Sequence, residues 1–389
     1  MLKFNHIIIL IILSFVLTAC SNNVVDEIKT GLVVIQSEPQ GGSIILNDNF
    51  TGKHTPDTLS LDEGSYRLKL QLLGYTTIED NFECKGDQTI ELDYQFEPDT
   101  SLKAVIFIDS YPPGAEISIN YQPTSKVTPD TIQLSLGASL LGLTLSGYKT
   151  FQENLTINTS ESDTFRATLQ PRKRILIEDF SNINCPACSQ PDRFIPKIVQ
   201  NNPSNTCAVA YHIAFPNPLD PFYQANMTDN NNRKEYYSVS SAPQVFVDGF
   251  ALSDPTDSLL LVNEIDNRKD MEPPVGIVIV GQPGISSIEY SVDIYGYRDI
   301  TAIIYSVLVE SEIIYDIPPG TNGTSEFHHI MREFKLLTEN QNIVQSSHLM
   351  HNNQTFTSLN EGDYSIIIFI QNDITKEIYQ SGIFHFTIF

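Results

Sequence analysis

The sequence predicts a multidomain, mostly β protein with a single α/β segment, and three observations carry that expectation. An internal repeat at a spacing of 73 residues organises the first half of the chain. Apolar residues alternate between Gly, Pro and Asn turns along most of its length, the pattern of short half-buried strands. Only one stretch, 173 to about 270, interleaves strand-like and helix-like runs, and it contains Cys185-Pro186-Ala187-Cys188. The 389 residues suffice for two to four domains.

The chain opens with a positive Lys3 and an aliphatic run from Ile7 to Val16, broken only by Ser14. That run has the length of a signal-peptide core and is short of the roughly 20 residues a membrane span needs. Leu17-Thr18-Ala19-Cys20 follows, then polar Ser21-Asn22-Asn23. The tetrapeptide resembles the lipobox read by lipoprotein signal peptidase. The resemblance implies a signal peptide over 1–19, acylation of Cys20, an anchor linker over 20–31 and a lipid bilayer as partner. Ser21 after the cysteine hints, by the same resemblance, at outer-membrane sorting. An uncleaved short anchor is the other reading, and both export the chain to the cell envelope, on its periplasmic or surface face.

Charge agrees with that address. The formal net charge is −24, and the pI is near 4.5, which argues against nucleic acid as a partner. The acids are scattered, as on a solvated surface.

The repeat is gapless. Pro39-Gln40-Gly41-Gly42 returns as Pro112-Pro113-Gly114-Ala115, and Thr55-Pro56-Asp57-Thr58 returns unchanged as Thr128-Pro129-Asp130-Thr131. Gly74-Tyr75 returns as Gly147-Tyr148, and Pro98 as Pro171. Apolar residues alternate between these marks, so each unit is expected to be a small antiparallel β-domain, a β-sandwich repeat. The unit resembles a PEGA domain over 32–98 and 105–171. The resemblance implies a spacer or surface-interaction module, and Pro and Gly at the turn have a sufficient conformational reason to be there.

From Ile175 the order reads strand, CxxC, helix up to Val199, strand over Cys207 to Phe215, helix over Asn231 to Tyr237, then Ala242-Pro243, strand and Gly turn. Residues 173–270 resemble a thioredoxin-like family of outer-membrane lipoproteins. The resemblance implies Cys185 as nucleophile and Cys188 as resolving thiol. It implies Ala242 and a cis Pro243 as the backbone that meets a substrate, and Asp179 as a buried carboxylate relaying a proton. A helix N-terminus favours thiolate on the first sulfur. Other readings stay open: half a zinc site, a static disulfide bracing a turn, Asp179 ending its strand in solvent, a trans Pro243. Asn184 stands where many relatives carry an aromatic, and Pro191 and Pro196 interrupt the presumed helix.

Cys84 lies near a strand of the first repeat without a counterpart in the second, Cys207 starts an apolar strand and reads as a buried inert thiol, and a bridge between them would cross domains. His212 reads as a packed or surface histidine that also fits an approach to the site. The C-terminal part, 275–389, carries β-branched and aromatic runs that predict an antiparallel sandwich. The stretch Phe327 to Arg332 resembles a strand of the same lipoprotein family. Adjacent His328 and His329, with His348 and His351, invite a metal reading that alternation along a strand opposes; neither metal nor cofactor is expected.

Taken together, the expected fold class is multidomain and mostly β, with one α/β thioredoxin-like domain, two small β-sandwich repeats and a C-terminal antiparallel β-sandwich. The expected function is membrane-anchored thiol–disulfide exchange on exported proteins through the CxxC pair. The alternative is a non-enzymatic envelope or adhesion lipoprotein using that segment as a scaffold.

Overall fold

Pro and Gly marks at a fixed spacing impose the same turns twice, and the same strands follow twice. The structure, a computed structural model, describes residues 29–99 and 101–389; the leader and Cys20 lie outside the described residues. Two compact units result, one made chiefly of the first repeat and the other of the second repeat with nearly all that follows.

The first repeat contains Thr30–Glu38 (β1), Ser43–Leu46 (β2), Asn49–His54 (β3), Asp57–Asp62 (β4), Gly64–Gln71 (β5), Ile78–Cys84 (β6) and Thr89–Gln95 (β7). They form a sheet of order β4-β1-β7 facing a sheet of order β3-β2-β5-β6, around Val33, Ile35, Ile44, Leu68 and Phe96. The second repeat contains Lys103–Tyr111 (β8), Glu116–Ile119 (β9), Gln122–Val127 (β10), Asp130–Ser135 (β11), Gly137–Thr144 (β12), Phe151–Ile157 (β13) and Asp163–Thr168 (β14). Its sheets run β11-β8-β14 and β10-β9-β12-β13, the same two orders.

The invariant Thr-Pro-Asp-Thr turn has a physical job. Thr55 Oγ1 lies 2.5 Å from Ser37 Oγ and accepts from Gly42 N at 2.9 Å, all buried. Thr128 repeats this with Ser110 at 2.6 Å and Ala115 N at 3.0 Å. Lys53 pairs with Asp57 and Lys126 with Asp130. One buried hydroxyl pair per repeat thus fastens the Pro-containing turn to the long first strand.

The rest of the chain supplies Ile175–Ser181 (β15), a 3₁₀ turn at Pro186–Cys188, Ser189–Asn201 (α1), Thr206–His212 (β16), Pro221–Ala225 (α2), Met227–Tyr236 (α3), Gln244–Val247 (β17), Phe250–Ala251 (β18) and Ser258–Arg268 (α4). There follow Val275–Pro283 (β19), Ser287–Gly296 (β20), Ile300–Ile314 (β21), Glu326–Ile343 (β22), His348–Thr357 (β23), Gly362–Gln371 (β24) and Ile378–Ile388 (β25).

Here the expected fold class is corrected. The sequence led us to expect a thioredoxin-like α/β domain over 173–270 beside a separate sandwich over 275–389. No thioredoxin α/β fold is evident, and the chain is mostly β. Its strands join one eight-stranded sheet of order β18-β17-β15-β16-β22-β21-β24-β25. The seam is the parallel pairing of β16 with β22, in register at Ala210 and Ile330. Leu176, Val209, Val307 and Phe369, from both sides of that seam, share one buried cluster. A strand with unpaired backbone on one side and apolar side chains on its faces gains by being covered, and β22 covers β16. The C-terminal strands do pack as layers: β19-β20-β23 lies against β21, β24 and β25 through Val292, Ile304, Ile366 and Phe356.

Candidate functional site

Every residue of β15 is buried, and period-two alternation sends its two neighbouring acids to opposite faces of the sheet. Ile175 and Ile177 pack with Ile195 of α1 and Ile265 of α4, so Asp179 and Ser181 point to that side. Leu176 and Phe180 pack on the other side, which carries Glu178.

After Ser181 the chain turns under its own side chains. Asn182 donates through Nδ2 to Ile213 O and Asn217 O, and Ile183 N donates to Asp220 at 2.8 Å. Cys185 then stands at the N-cap position of the 3₁₀ turn, its Sγ accepting from Cys188 N at 3.3 Å. Cys185 and Cys188 are joined as a disulfide. Cys185 keeps 5% of its surface exposed and Cys188 none. α1 starts directly beyond, at Ser189, with Pro191 in its first turn, where a missing N–H costs nothing, and Pro196 in its interior.

A second segment sits on the cysteine loop. Between β21 and β22, Asn322 N donates to Ile183 O at 2.9 Å and Thr321 Oγ1 to Asn184 O at 3.2 Å. Gly320 lies so close that a Cβ there meets the Ile183 backbone. These contacts hold the loop against the two residues that precede Cys185.

Asp179 is 4% exposed, and its Oδ1 has no hydrogen-bonding partner among the described residues. Burial, then the nearby Asp192 carboxylate, pushes its carboxyl well above the ordinary range. Asp192, on α1, accepts from Ser181 Oγ at 2.9 Å and from Asn322 Nδ2 at 3.1 Å; burial pushes its carboxyl up to about 6. His212 Nδ1 lies 2.7 Å from Asp220 Oδ2, both buried. Burial alone raises an acid; the His212 ring and the backbone donors outweigh it and hold Asp220 below its usual value. Two carboxyls whose hold on a proton is strengthened, Asp179 and Asp192, thus lie near the hydrogen-bonded His212–Asp220 pair.

The Ala242–Pro243 bond is cis, at the entrance to β17, which pairs with β15. Cys207 is fully buried and burial pushes its thiol up to about 11; Cys84 is buried as well. Neither reads as a reactive thiol. Among the described residues, no cluster of three His, Cys, Asp or Glu side chains is placed to hold a metal ion. Likewise among them, no helix is long and apolar enough to cross a membrane.

Sequence reasoning brought Cys185, Cys188 and Asp179 together but missed Asp192, Asp220 and Asn322. A long Pro-Pro-Gly and Asn-Gly loop is itself a signal, since long loops in compact domains are usually functional or disordered.

Comparison with known proteins locates two PEGA domains, at residues 30–100 and 103–173. These are the two repeats. No curated protein matches the chain. Among solved structures it is similar to HBP35 of Porphyromonas gingivalis, at 12% identity over 55% of this chain and 75% of that one, with a TM-score of 0.45. It is similar also to a structural-genomics protein of Agrobacterium tumefaciens, at 15% identity over 55% of this chain and 95% of that one, with a TM-score of 0.41.

Proposed function

We propose that the chain is a lipoprotein of the cell envelope, anchored through an acylated Cys20. In this reading it exchanges disulfides on exported proteins through Cys185 and Cys188, with the two PEGA domains as spacers. The observation that carries the reading is the disulfide at the head of α1 with Asp179, a buried carboxyl lacking a partner, on the strand that leads into it. Burying such a group unsatisfied costs on the order of 1–3 kcal/mol. A purely structural strand has no use for that cost, whereas a proton reservoir on the strand leading to a reactive pair gives it one.

The exchange balances as follows. In the reduced chain the Cys185 thiolate attacks a substrate disulfide, forming a mixed disulfide and releasing one substrate thiolate. Cys188 loses its proton, attacks the Cys185 sulfur and releases the second substrate thiol. Two electrons pass to the substrate, and an external dithiol restores the pair.

A second reading is favoured by one specific observation, the 5% exposure of Cys185 beside the 321–322 contacts. In it the disulfide braces a turn of a non-enzymatic interaction lipoprotein. The test is turnover of a model protein disulfide by the purified chain with dithiothreitol as donor. Catalysis that vanishes in Cys185→Ala supports exchange; no rate above the uncatalysed reaction overturns it. For the anchor, Cys20→Ala is expected to accumulate as an uncleaved precursor without labelled fatty acid, and normal processing of that variant removes the lipoprotein claim.

A further inference from the structure

The face of the sheet under α1 contains a small cavity of about 20 Å³, lined by Asp179, Asp192, His212, His329, Ala210 and Ile195. That volume is about enough for one water, and a water needs two to four polar partners. The unpartnered Asp179 Oδ1 supplies one, and the Asp192 carboxyl with the two imidazoles supplies the others. Beyond it a larger open cleft of about 760 Å³ runs along α1, lined by Arg193, Lys197, Glu326 and Asp363. Asp192, Pro196, His328 and His329 line both spaces. Asp192 therefore stands between a buried carboxyl and solvent, held in one orientation by Ser181 and Asn322.

We infer that Asp192 is a positioning residue that passes protons between solvent in the open cleft and Asp179, across one water seated in the small cavity. The inference rests on the exchange reading of Cys185 and Cys188. When dithiothreitol reduces the pair, it loses two electrons and closes to its cyclic disulfide, and Cys188 leaves as a thiolate. That thiolate takes the Asp179 proton. The Asp179 carboxylate is refilled through the water from the Asp192 carboxyl, and Asp192 is refilled from the cleft. No electron moves along this path.

The charged and titratable groups around Asp192 set its behaviour from every side. Asp179 faces it from β15, His212 from β16 and Asp220 from the turn before α2. His328 and His329 face it from β22, and Arg193 and Lys197 flank it on α1. Burial, with His328 beside it, pushes His329 down to about 4, so this ring is neutral where the path operates. Burial raises Asp192 to about 6, where a carboxyl both gives and accepts protons near neutral pH.

The test uses the full chain, with dithiothreitol as reductant, following thiol formation from pH 5 to 8 by stopped flow. The wild-type rate is expected to show an inflection near pH 6. Asp192→Asn is expected to lose that inflection and to slow about tenfold below it, where the wild-type Asp192 carboxyl holds the proton it gives, with Asp192→Glu restoring it. Ser181→Ala, which frees the carboxylate without removing it, is expected to keep the inflection at a rate lowered severalfold. An unchanged profile in Asp192→Asn overturns the inference. Carboxyl titration in the oxidised chain, read by carbon NMR on labelled Asp, separates this failure from that of the exchange reading. If the chain reduces no model disulfide but the Asp179 midpoint falls in Asp192→Asn, exchange fails while the coupled pair stands. If that midpoint is unmoved, the path fails whatever the activity.

Discussion

Glu178 and Asp179 are neighbours on one buried strand, and they live in opposite electrostatic worlds. Glu178 accepts from Arg233 Nε at 2.7 Å and Nη2 at 3.0 Å, and from Tyr237 Oη at 2.6 Å. Arg233 in turn donates to Gln371 and lies over the rings of Tyr237 and Phe369. On that face Glu178 has both oxygens paired and ties β15 to α3 and, through Arg233 and Gln371, to β24. On the other face, Asp179 lacks a partner for one oxygen among the described residues and lines a water-sized cavity together with a second carboxyl, on the strand that leads into the disulfide loop. One strand thus separates a fully paired acid used for architecture from a carboxyl whose hold on its proton is strengthened by burial. Burial alone does not distinguish them; the completeness of their partners does.

The largest expected effect breaks that tie. Arg233→Met leaves Glu178 buried without its cation and is expected to cost about 3–5 kcal/mol, read as a lower urea midpoint. A cost below about 1 kcal/mol contradicts the structural role given to that face.

The opposite sign is expected across the strand. An unfolded Asp titrates near pH 3.9, whereas folded Asp179 holds its proton to higher pH. Between those two values the folded chain binds more protons than the unfolded one, so wild-type stability falls as pH rises. Asp179→Asn removes Asp179's share of that slope, leaving the share of Asp192, and is expected to be more stable than wild type at pH 8 by about 1–3 kcal/mol, while exchange slows. Glu178→Gln, by contrast, is expected to lose stability at the same pH. Denaturant titrations at pH 4 and pH 8 read both, and equal slopes in wild type and Asp179→Asn contradict the raised carboxyl.

A smaller effect belongs to the loop. Asn322→Ala frees Asp192 Oδ2 and removes a side chain from the segment held against the residues that precede Cys185. Reduction of the disulfide by dithiothreitol is expected to quicken by about two- to fivefold, since the backbone contact of Asn322 to Ile183 remains. No change assigns the low exposure of Cys185 to other residues.

Some of this was legible in the sequence because the signals are local. The Thr-Pro-Asp-Thr turns, the Gly-Tyr pairs and the alternation between them define both PEGA domains, down to the buried Thr hydroxyl. Cys185, Cys188 and Asp179 lie within ten residues of one another, so their spacing shows. The eight-stranded sheet does not show, because its seam joins Ala210 to Ile330 across a long separation. The outer part of β22, Thr338 to Asn342, and much of β23, His351 to Gln354, are polar and largely exposed, so they lack the apolar runs that mark the other C-terminal strands. Asp192 carries no local signal, because the groups that bury and orient it come from β15 and a loop about 130 residues downstream.

The central claim, that the disulfide is an exchange pair rather than a brace, is tested most directly by trapping. Cys188→Ala leaves Cys185 able to attack but unable to be released, because resolution needs the second thiol. The account predicts that this variant, expressed as the full chain, accumulates mixed disulfides with exported proteins, visible as reductant-sensitive bands of higher mass. Cys185→Ala, whose remaining thiol is fully buried, is predicted to show none. No trapped partner in Cys188→Ala, together with a double Cys185→Ala, Cys188→Ala variant that loses only stability, would contradict it and leave the disulfide as a brace.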